Sequence, residues 1–471
     1  MPTSDPALYD AIIIGAGQGG GPLAGALARA GWTTALIERR HAGGTCVNRG
    51  CTPTKTMIAS ARVAHLARRS DDYGVRTGDI SVDMDTVYQR KTDIVTSFRS
   101  GSRTAIETTE GLDFLHGTAS FVDERTLAVD MNEGNDTHLV KSDRIIINTG
   151  ATPFIPPIEG LHDAPYLTSE SILDLGTRPD HLIVLGGGYI GLEFGQMFRR
   201  FGSDVTIVER ADQIIGREDA DVAEALTEIL EDDGIRVLDG TTAEAVTTHD
   251  DGTVSLTLSG DTAPTRIRGS HLLVAVGRAP ATDRLNLEAA DVETTERGHI
   301  DVTPDLQTST DGIYAIGDVK GGPAFTHIAY DDYRILRDNF LDDAGRTIED
   351  RLVPYTLFTD PQLGRVGLSE EQAEAQGLDV AIASMPMSRV ARALETDEAR
   401  GLMKAVVDAQ SGQILGAAVL GPEGGEIMSV LQMAMMGDVP YTALRESAFA
   451  HPTFTESLNN LFASLEVPEA A

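Results

Sequence analysis

The sequence predicts an α/β fold in which two doubly wound parallel-sheet units precede a separate α+β C-terminal domain. Three observations carry that prediction. Short uninterrupted apolar runs end in glycine-rich turns, one strand–turn–helix–strand order occurs twice, and beyond Arg351 the texture changes to alternating strands and amphipathic helices. A chain of 471 residues is also too long for one core, which suggests about three domains.

Residues 11–14 are apolar without alternation, as a buried parallel strand requires. Gly15, Gly17 and Gly20 follow in G-x-G-x-x-G spacing. An Ala/Leu-rich stretch over 22–30 reads as a helix, and a strand over 34–37 ends on Glu38. The same order returns with a strand at 182–185, Gly186, Gly188 and Gly191, a helix over 192–201, and a strand at 205–208 ending on Glu209. Such a turn lets backbone N–H groups approach a diphosphate at the positive end of a helix, and the acid accepts from a ribose hydroxyl. One such loop is a weak signal. Two in full βαβ context predict two dinucleotides, one held and one exchangeable, which suggests FAD with a nicotinamide. The Glu209 carboxylate would repel a 2′-phosphate and favours NADH, while the adjacent Arg210 leaves room for NADPH.

Between the loops lie a helical stretch after Pro53, a charged segment over 71–85, and a strand-rich region reaching 145–147. Pro153, Pro156 and Pro157 mark a boundary. Further apolar strands over 272–276 and 312–316 end at Gly277 and at Gly317-Asp318. The expected organisation is a flavin-binding first segment over 1–152, a nicotinamide-binding unit over 153–280, a second flavin-binding segment over 281–350, and the C-terminal domain over 351–471.

The charge balance is unusual, with 72 acidic against 38 basic residues and a net charge of −34. Only Lys55, Lys91, Lys141, Lys320 and Lys404 are lysines. A surface of that sign repels nucleic acid and anionic membrane, and it suggests adaptation to high salt, where self-repulsion is screened. No run approaches the ~18 apolar residues of a membrane span. The first ten residues have two acids and no basic stretch, so a cytoplasmic chain without a secretory signal is expected.

The two cysteines, Cys46 and Cys51, stand in Gly43-Gly44-Thr45-Cys46-Val-Asn-Arg-Gly50-Cys51-Thr-Pro53-Thr-Lys55. Residues five apart on a regular helix are too distant to bridge, so the pair requires a break, which Gly50 permits. Pro53 suits the first turn of a following helix, which places Cys51 at a positive helix end that favours thiolate. In a reducing compartment such a pair is redox-active or metal-binding rather than a staple. No further cysteine or close histidine completes a tetrahedral metal set.

This segment resembles the redox site of the pyridine nucleotide–disulfide oxidoreductases, the family of dihydrolipoamide dehydrogenase, glutathione reductase and mercuric reductase. The resemblance runs from Ala11 to about Leu465. It includes Thr149-Gly150-Ala-Thr-Pro153, Gly317-Asp318 and Ala450-His451-Pro452-Thr-Phe-Thr-Glu456. It implies two Rossmann-like dinucleotide-binding domains and a C-terminal dimerisation domain. Cys51 would be the flavin-proximal thiol and Cys46 the interchange thiol. Lys55 would sit near flavin N5 with Glu193, and Tyr189 would gate the nicotinamide pocket. His451, oriented by Glu456, would serve the other subunit of a homodimer, and Gly44, Thr45, Thr149, Gly150, Asp318 and Gly277 would border the nucleotides.

Within the family, residues 392–404 and 440–445 resemble mercuric reductase-like enzymes. Two departures oppose a mercury reading: there is no third cysteine, and the His-Pro motif is present. Thiolate exchange needs a general acid, whereas a metal ion does not. Three readings stand: a reductase passing electrons through Cys46 and Cys51 to a disulfide or a soft metal ion, a dihydrolipoamide dehydrogenase running the reverse reaction, and a non-catalytic flavoprotein scaffold. Met428, Met433, Met435 and Met436 read as packing on a helix.

Overall fold

A computed structural model of the chain describes residues 5–134, 136–260, 263–349 and 351–465. Residues 1–4, where the sequence was read for a secretory signal, lie outside them, as do the segment-end positions 350 and 466–471. The chain forms two compact units, one from residues 1–57, 85–154 and 277–351, the other from 58–84, 155–276 and 352–471.

In the first unit, the strands Thr34–Glu38, Ala11–Ile14, Ile145–Ile147 and Ile313–Ala315 lie side by side and parallel at one end of an eight-stranded sheet. Burial explains their unbroken apolar composition. Ile12 and Ile14 pack on one face with Phe121, Leu127 and Ile300. Ala11 and Ile13 pack on the other with Leu23, Leu27 and Leu336. Each buried isoleucine stabilises the sheet by about 1.5–3 kcal/mol before entropy is counted. The helix Gly20–Arg29 begins within the first glycine loop, two residues before the stretch expected from sequence. The helix Met84–Glu107 was not anticipated beyond the charged segment. Its buried stripe is thin (Val87, Tyr88, Lys91, Val95 and Ile106), so helical periodicity is diluted by polar residues.

In the second unit, Arg236–Leu238, Asp204–Val208, His181–Leu185, His271–Val274 and Tyr166–Thr168 form a five-stranded parallel sheet. A three-stranded antiparallel sheet over 242–269 joins it, also unread in the sequence. The C-terminal part is a five-stranded antiparallel sheet, Tyr355–Leu357, Gln362–Gly367, Ile414–Gly421, Leu402–Asp408 and Val380–Pro386. The helices Gly424–Met436 and Ser457–Ala463 bury Met428, Leu431, Leu458 and Phe462 against its core. The expected α/β class with a C-terminal α+β domain is the fold observed. The methionine reading needs correction: Met428 is buried and Met435 packs on the core, but Met433 and Met436 are 64% and 63% exposed. No helix among the described residues is long and apolar enough to cross a membrane.

Candidate active site

The two glycine loops repeat one construction. Gly15 N–H donates to Ile37 O at 2.8 Å, and Gly186 N–H donates to Val208 O at 2.8 Å, so each loop is pinned to the strand ahead of its acid. A Cβ on Gly20 would lie 2.2 Å from Gly15 O, and one on Gly191 would lie 2.1 Å from Gly186 O. Only glycine lets each helix start that close to its own turn. Around Gly188 a Cβ would meet nothing within 4 Å.

The acids have a role that sequence reasoning missed. Glu38 Oε2 accepts the Ala16 N–H at 2.9 Å and Oε1 accepts Arg40 N–H at 2.7 Å. Glu209 does the same, taking Gly187 N–H at 2.7 Å and Ala211 N–H at 2.8 Å. Each carboxylate clamps its own loop and retains a second lone pair per oxygen for a ribose. Asn148, also unread in the sequence, donates from Nδ2 to Gly15 O at 3.0 Å.

The cysteines stand on either side of a helix break. Cys46 lies in the short helix Gly44–Arg49, Gly50 closes it with φ −130° and ψ −112°, and Cys51 opens the helix Cys51–Arg68. A Cβ on Gly44 would lie 2.6 Å from Gly17 Cα, so this glycine lets the Cys46 helix start against the first loop, with Thr45 next in its first turn. Asn48 Nδ2 donates to Ala42 O and Gly44 O at 2.9 Å, and Arg99 Nε in turn donates to Asn48 Oδ1 at 2.6 Å. The long helix unseen in sequence thus braces the cysteine segment. The thiols are unbridged, Cys46 half-buried and Cys51 exposed. A hydrogen bond with Cys51, then burial, push the Cys46 thiol up, and a hydrogen bond from Thr326 opposes that. Thr326 Oγ1 also lies 3.3 Å from Cys51 Sγ. Thr326 is the first residue of the helix Thr326–Asp342, and nothing near it in the sequence marked it. Lys55 is half-buried in the second turn of the Cys51 helix.

Further along the first unit, Gly317 and Asp318 open a short 3₁₀ turn, and Gly317 N–H donates to the buried Asp332 Oδ2 at 2.8 Å. Asp332 is itself paired with Lys320 at 3.4 Å and Arg351 at 2.6 Å. Burial pushes the Asp318 carboxyl up, and Arg278, 4.0 Å away, opposes it. Gly277 O accepts from Phe154 N–H at 3.0 Å, beside the antiparallel pairing of Ala151–Pro153 with Arg278–Pro280 that follows Gly150. Thr149 Oγ1 is buried with no hydrogen-bond partner. An orphaned hydroxyl, the half-buried Asp318 carboxylate and a phosphate-type loop in one unit fit a flavin nucleotide.

In the second unit, Tyr189 opens the helix Tyr189–Phe201 directly after the second loop, and Glu193 is buried with Oε1 accepting Phe358 N–H at 2.9 Å. His451 is exposed, and its Nδ1 lies 2.9 Å and 3.0 Å from the Glu456 carboxylate oxygens. That contact leaves Nε2 facing outward with its tautomer fixed by the acid. Among the described residues, no cluster of three or more His, Cys, Asp or Glu is placed to hold a metal ion.

Two sequence models of known families match the chain. The pyridine nucleotide-disulphide oxidoreductase model matches residues 9–332, and the dimerisation domain of the same family matches residues 353–462. The chain belongs to the pyridine nucleotide-disulphide oxidoreductases. It is 40% identical over 458 residues to the probable pyridine nucleotide-disulfide oxidoreductase RclA of Escherichia coli, covering 96% of this chain and 98% of the relative. A mercuric reductase of Staphylococcus aureus is 35% identical, covering 96% of this chain and 81% of the relative. A dihydrolipoyl dehydrogenase of Haloferax volcanii is 33% identical, covering 95% and 94%. The solved Cu(II) complex of the HOCl-induced flavoprotein disulfide reductase RclA from Escherichia coli superposes with a TM-score of 0.88 at 38% identity, over 98% of this chain and 99% of that one. As a member of this family the chain is an FAD-dependent enzyme that works with a pyridine nucleotide, and its dimerisation domain supports a homodimer.

Proposed function

We propose that this oxidoreductase takes electrons from NADH and delivers them through the Cys46/Cys51 dithiol to a disulfide substrate. The observation that carries the reading is the thiol pair itself, hydrogen-bonded across a helix break and reached by Thr326. The loop at 15–20, Glu38, Thr149 and Asp318 would hold FAD, and the loop at 186–191 with Glu209 would hold the nicotinamide nucleotide, with Lys55 and Glu193 beside the flavin. Bound FAD supplies the two-electron exchange between a nicotinamide hydride and a disulfide.

The chain's own groups account for the rest. Cys46 thiolate attacks one sulfur of the substrate disulfide, forming a mixed disulfide and expelling one thiolate. His451 of the partner subunit, oriented by Glu456, gives that thiolate its proton. Cys51 thiolate then attacks Cys46 sulfur, closing the Cys46–Cys51 disulfide and releasing the second substrate sulfur as a thiolate. Run backward on a dihydrolipoyl group, the same parts make a dehydrogenase. A soft ion such as Hg²⁺ or Cu²⁺ is the second acceptor reading, favoured by the Cu(II) complex of the Escherichia coli relative.

An anaerobic acceptor screen with lipoamide, glutathione disulfide, Hg²⁺ and Cu²⁺, under NADH and NADPH in turn, tests both readings. Disulfide turnover should fall at least about 100-fold in His451→Ala while turnover of either ion persists. Cys46→Ser should abolish disulfide turnover. Disulfide turnover surviving in Cys46→Ser would remove the dithiol from the path, and preference for NADPH would overturn the role given to Glu209.

A further inference from the structure

Beside the second glycine loop, Tyr189 leads into a chain of half-buried and buried groups that the proposed reaction does not use. The Tyr189 ring packs against Tyr355, with centroids 5.3 Å apart and planes inclined by 38°. The Tyr355 hydroxyl donates to Glu218 Oε1. Glu218 is 2% exposed, its Oε2 accepts no hydrogen bond, and Arg365 Nη1 lies 3.6 Å from it. Arg365 is also 3.6 Å from Asp219, which takes the N–H groups of Glu370 and Glu371 at 3.3 Å and pairs with Lys404 at 3.6 Å. Burial, then the Glu218 carboxylate, push the Tyr189 phenol up to about 12, so both tyrosines stay neutral donors near neutral pH.

We propose that Tyr355, tethered through Glu218 and Arg365, is a positioning residue that fixes the ring of Tyr189 and so sets the affinity for the nicotinamide dinucleotide. The inference rests on the reading that Tyr189 borders the nicotinamide path. A tyrosine on the first residue of a helix, with open space beside Gly188, has rotamer freedom unless something holds it. Tyr355 supplies an inclined ring face, and its own hydroxyl is anchored in a buried charged cluster that cannot shift without stranding a buried charge. A ring fixed by its neighbours need not be ordered during binding, which removes an entropic cost.

The test is titration calorimetry of NAD⁺ into the oxidised, flavin-loaded protein, a binding readout independent of turnover. Tyr355→Leu removes face and tether and should weaken binding about two- to tenfold. Tyr355→Phe keeps the face and the packing and should fall between Tyr355→Leu and wild type. Tyr189→Ala should weaken binding too, and in that background Tyr355→Leu should add nothing, because the two act as one unit. Additive effects of the two changes overturn the proposal, as does an unchanged affinity in Tyr355→Leu when Tyr189→Ala binds less tightly. Unchanged affinity in Tyr189→Ala itself defeats the underlying reading of Tyr189 and the proposal with it.

Discussion

Thr326 stands 275 positions from Cys51, yet its Oγ1 is 3.3 Å from the Cys51 sulfur. A hydroxyl there donates to a thiolate and favours the charged, nucleophilic form. Thr326→Val keeps the shape and removes the donor. Alkylation of the reduced pair by iodoacetamide at pH 7 should then slow about tenfold, the size expected for one hydrogen bond to a charged group, and Thr326→Ser should restore it. Equal rates in all three proteins would show that the contact does not tune the thiols. The glycines, both cysteines and the two acids were readable because recurring motifs fix their places along the chain, even where a clamp such as Glu38 on Ala16 spans 22 positions. Asn148, Arg99, Asp332 and Thr326 were not, because no recurring motif ties any of them to the segment it serves, and no local pattern distinguishes them from ordinary polar residues.

At the scale of single elements, the Cys51–Arg68 helix carries more than its cysteine. His65 lies on it with Nε2 buried and unbonded, among Arg200, Asp233, Asp360 and Arg400. Burial, then the Arg200 cation, lower its pKa from 6.5 to about 4. The unfolded chain therefore takes up a proton near pH 6.5 that the folded chain refuses until about pH 4. This contribution is in place above pH 6.5 and is lost as pH falls toward 4. Melting temperature should drop across that window, and His65→Leu should flatten part of the slope. Parallel profiles for the two proteins would exclude His65 as a cause. The start of this helix was legible from Pro53 and Gly50. The Met84–Glu107 helix was not, since only five of its 24 residues are buried, one of them Lys91, and the apolar positions are thinned by charged and polar neighbours.

Across the whole molecule, the excess of acids is the dominant electrostatic feature, at a net charge of −34. Like charges spread over a surface oppose compaction, and dissolved salt screens them within roughly 10 Å at 0.1 M. Melting temperature should climb as KCl rises from low to molar concentration, and a flat or falling curve would refute adaptation to salt. The architecture at this scale was the most legible part, because duplicated βαβ units repeat the same apolar runs, glycines and acids. The antiparallel sheet over 242–269 escaped notice because its short strands have neither glycine loops nor long apolar runs.

The paired clamps at Glu38 and Glu209 have a consequence for how the protein is filled. Each carboxylate fixes its own loop by accepting two backbone N–H groups, one from the loop and one from just past its own strand. Removing either acid should therefore loosen the loop as well as the ribose contact, and Glu38→Ala should shed its yellow prosthetic group on dilution where the parent protein keeps it.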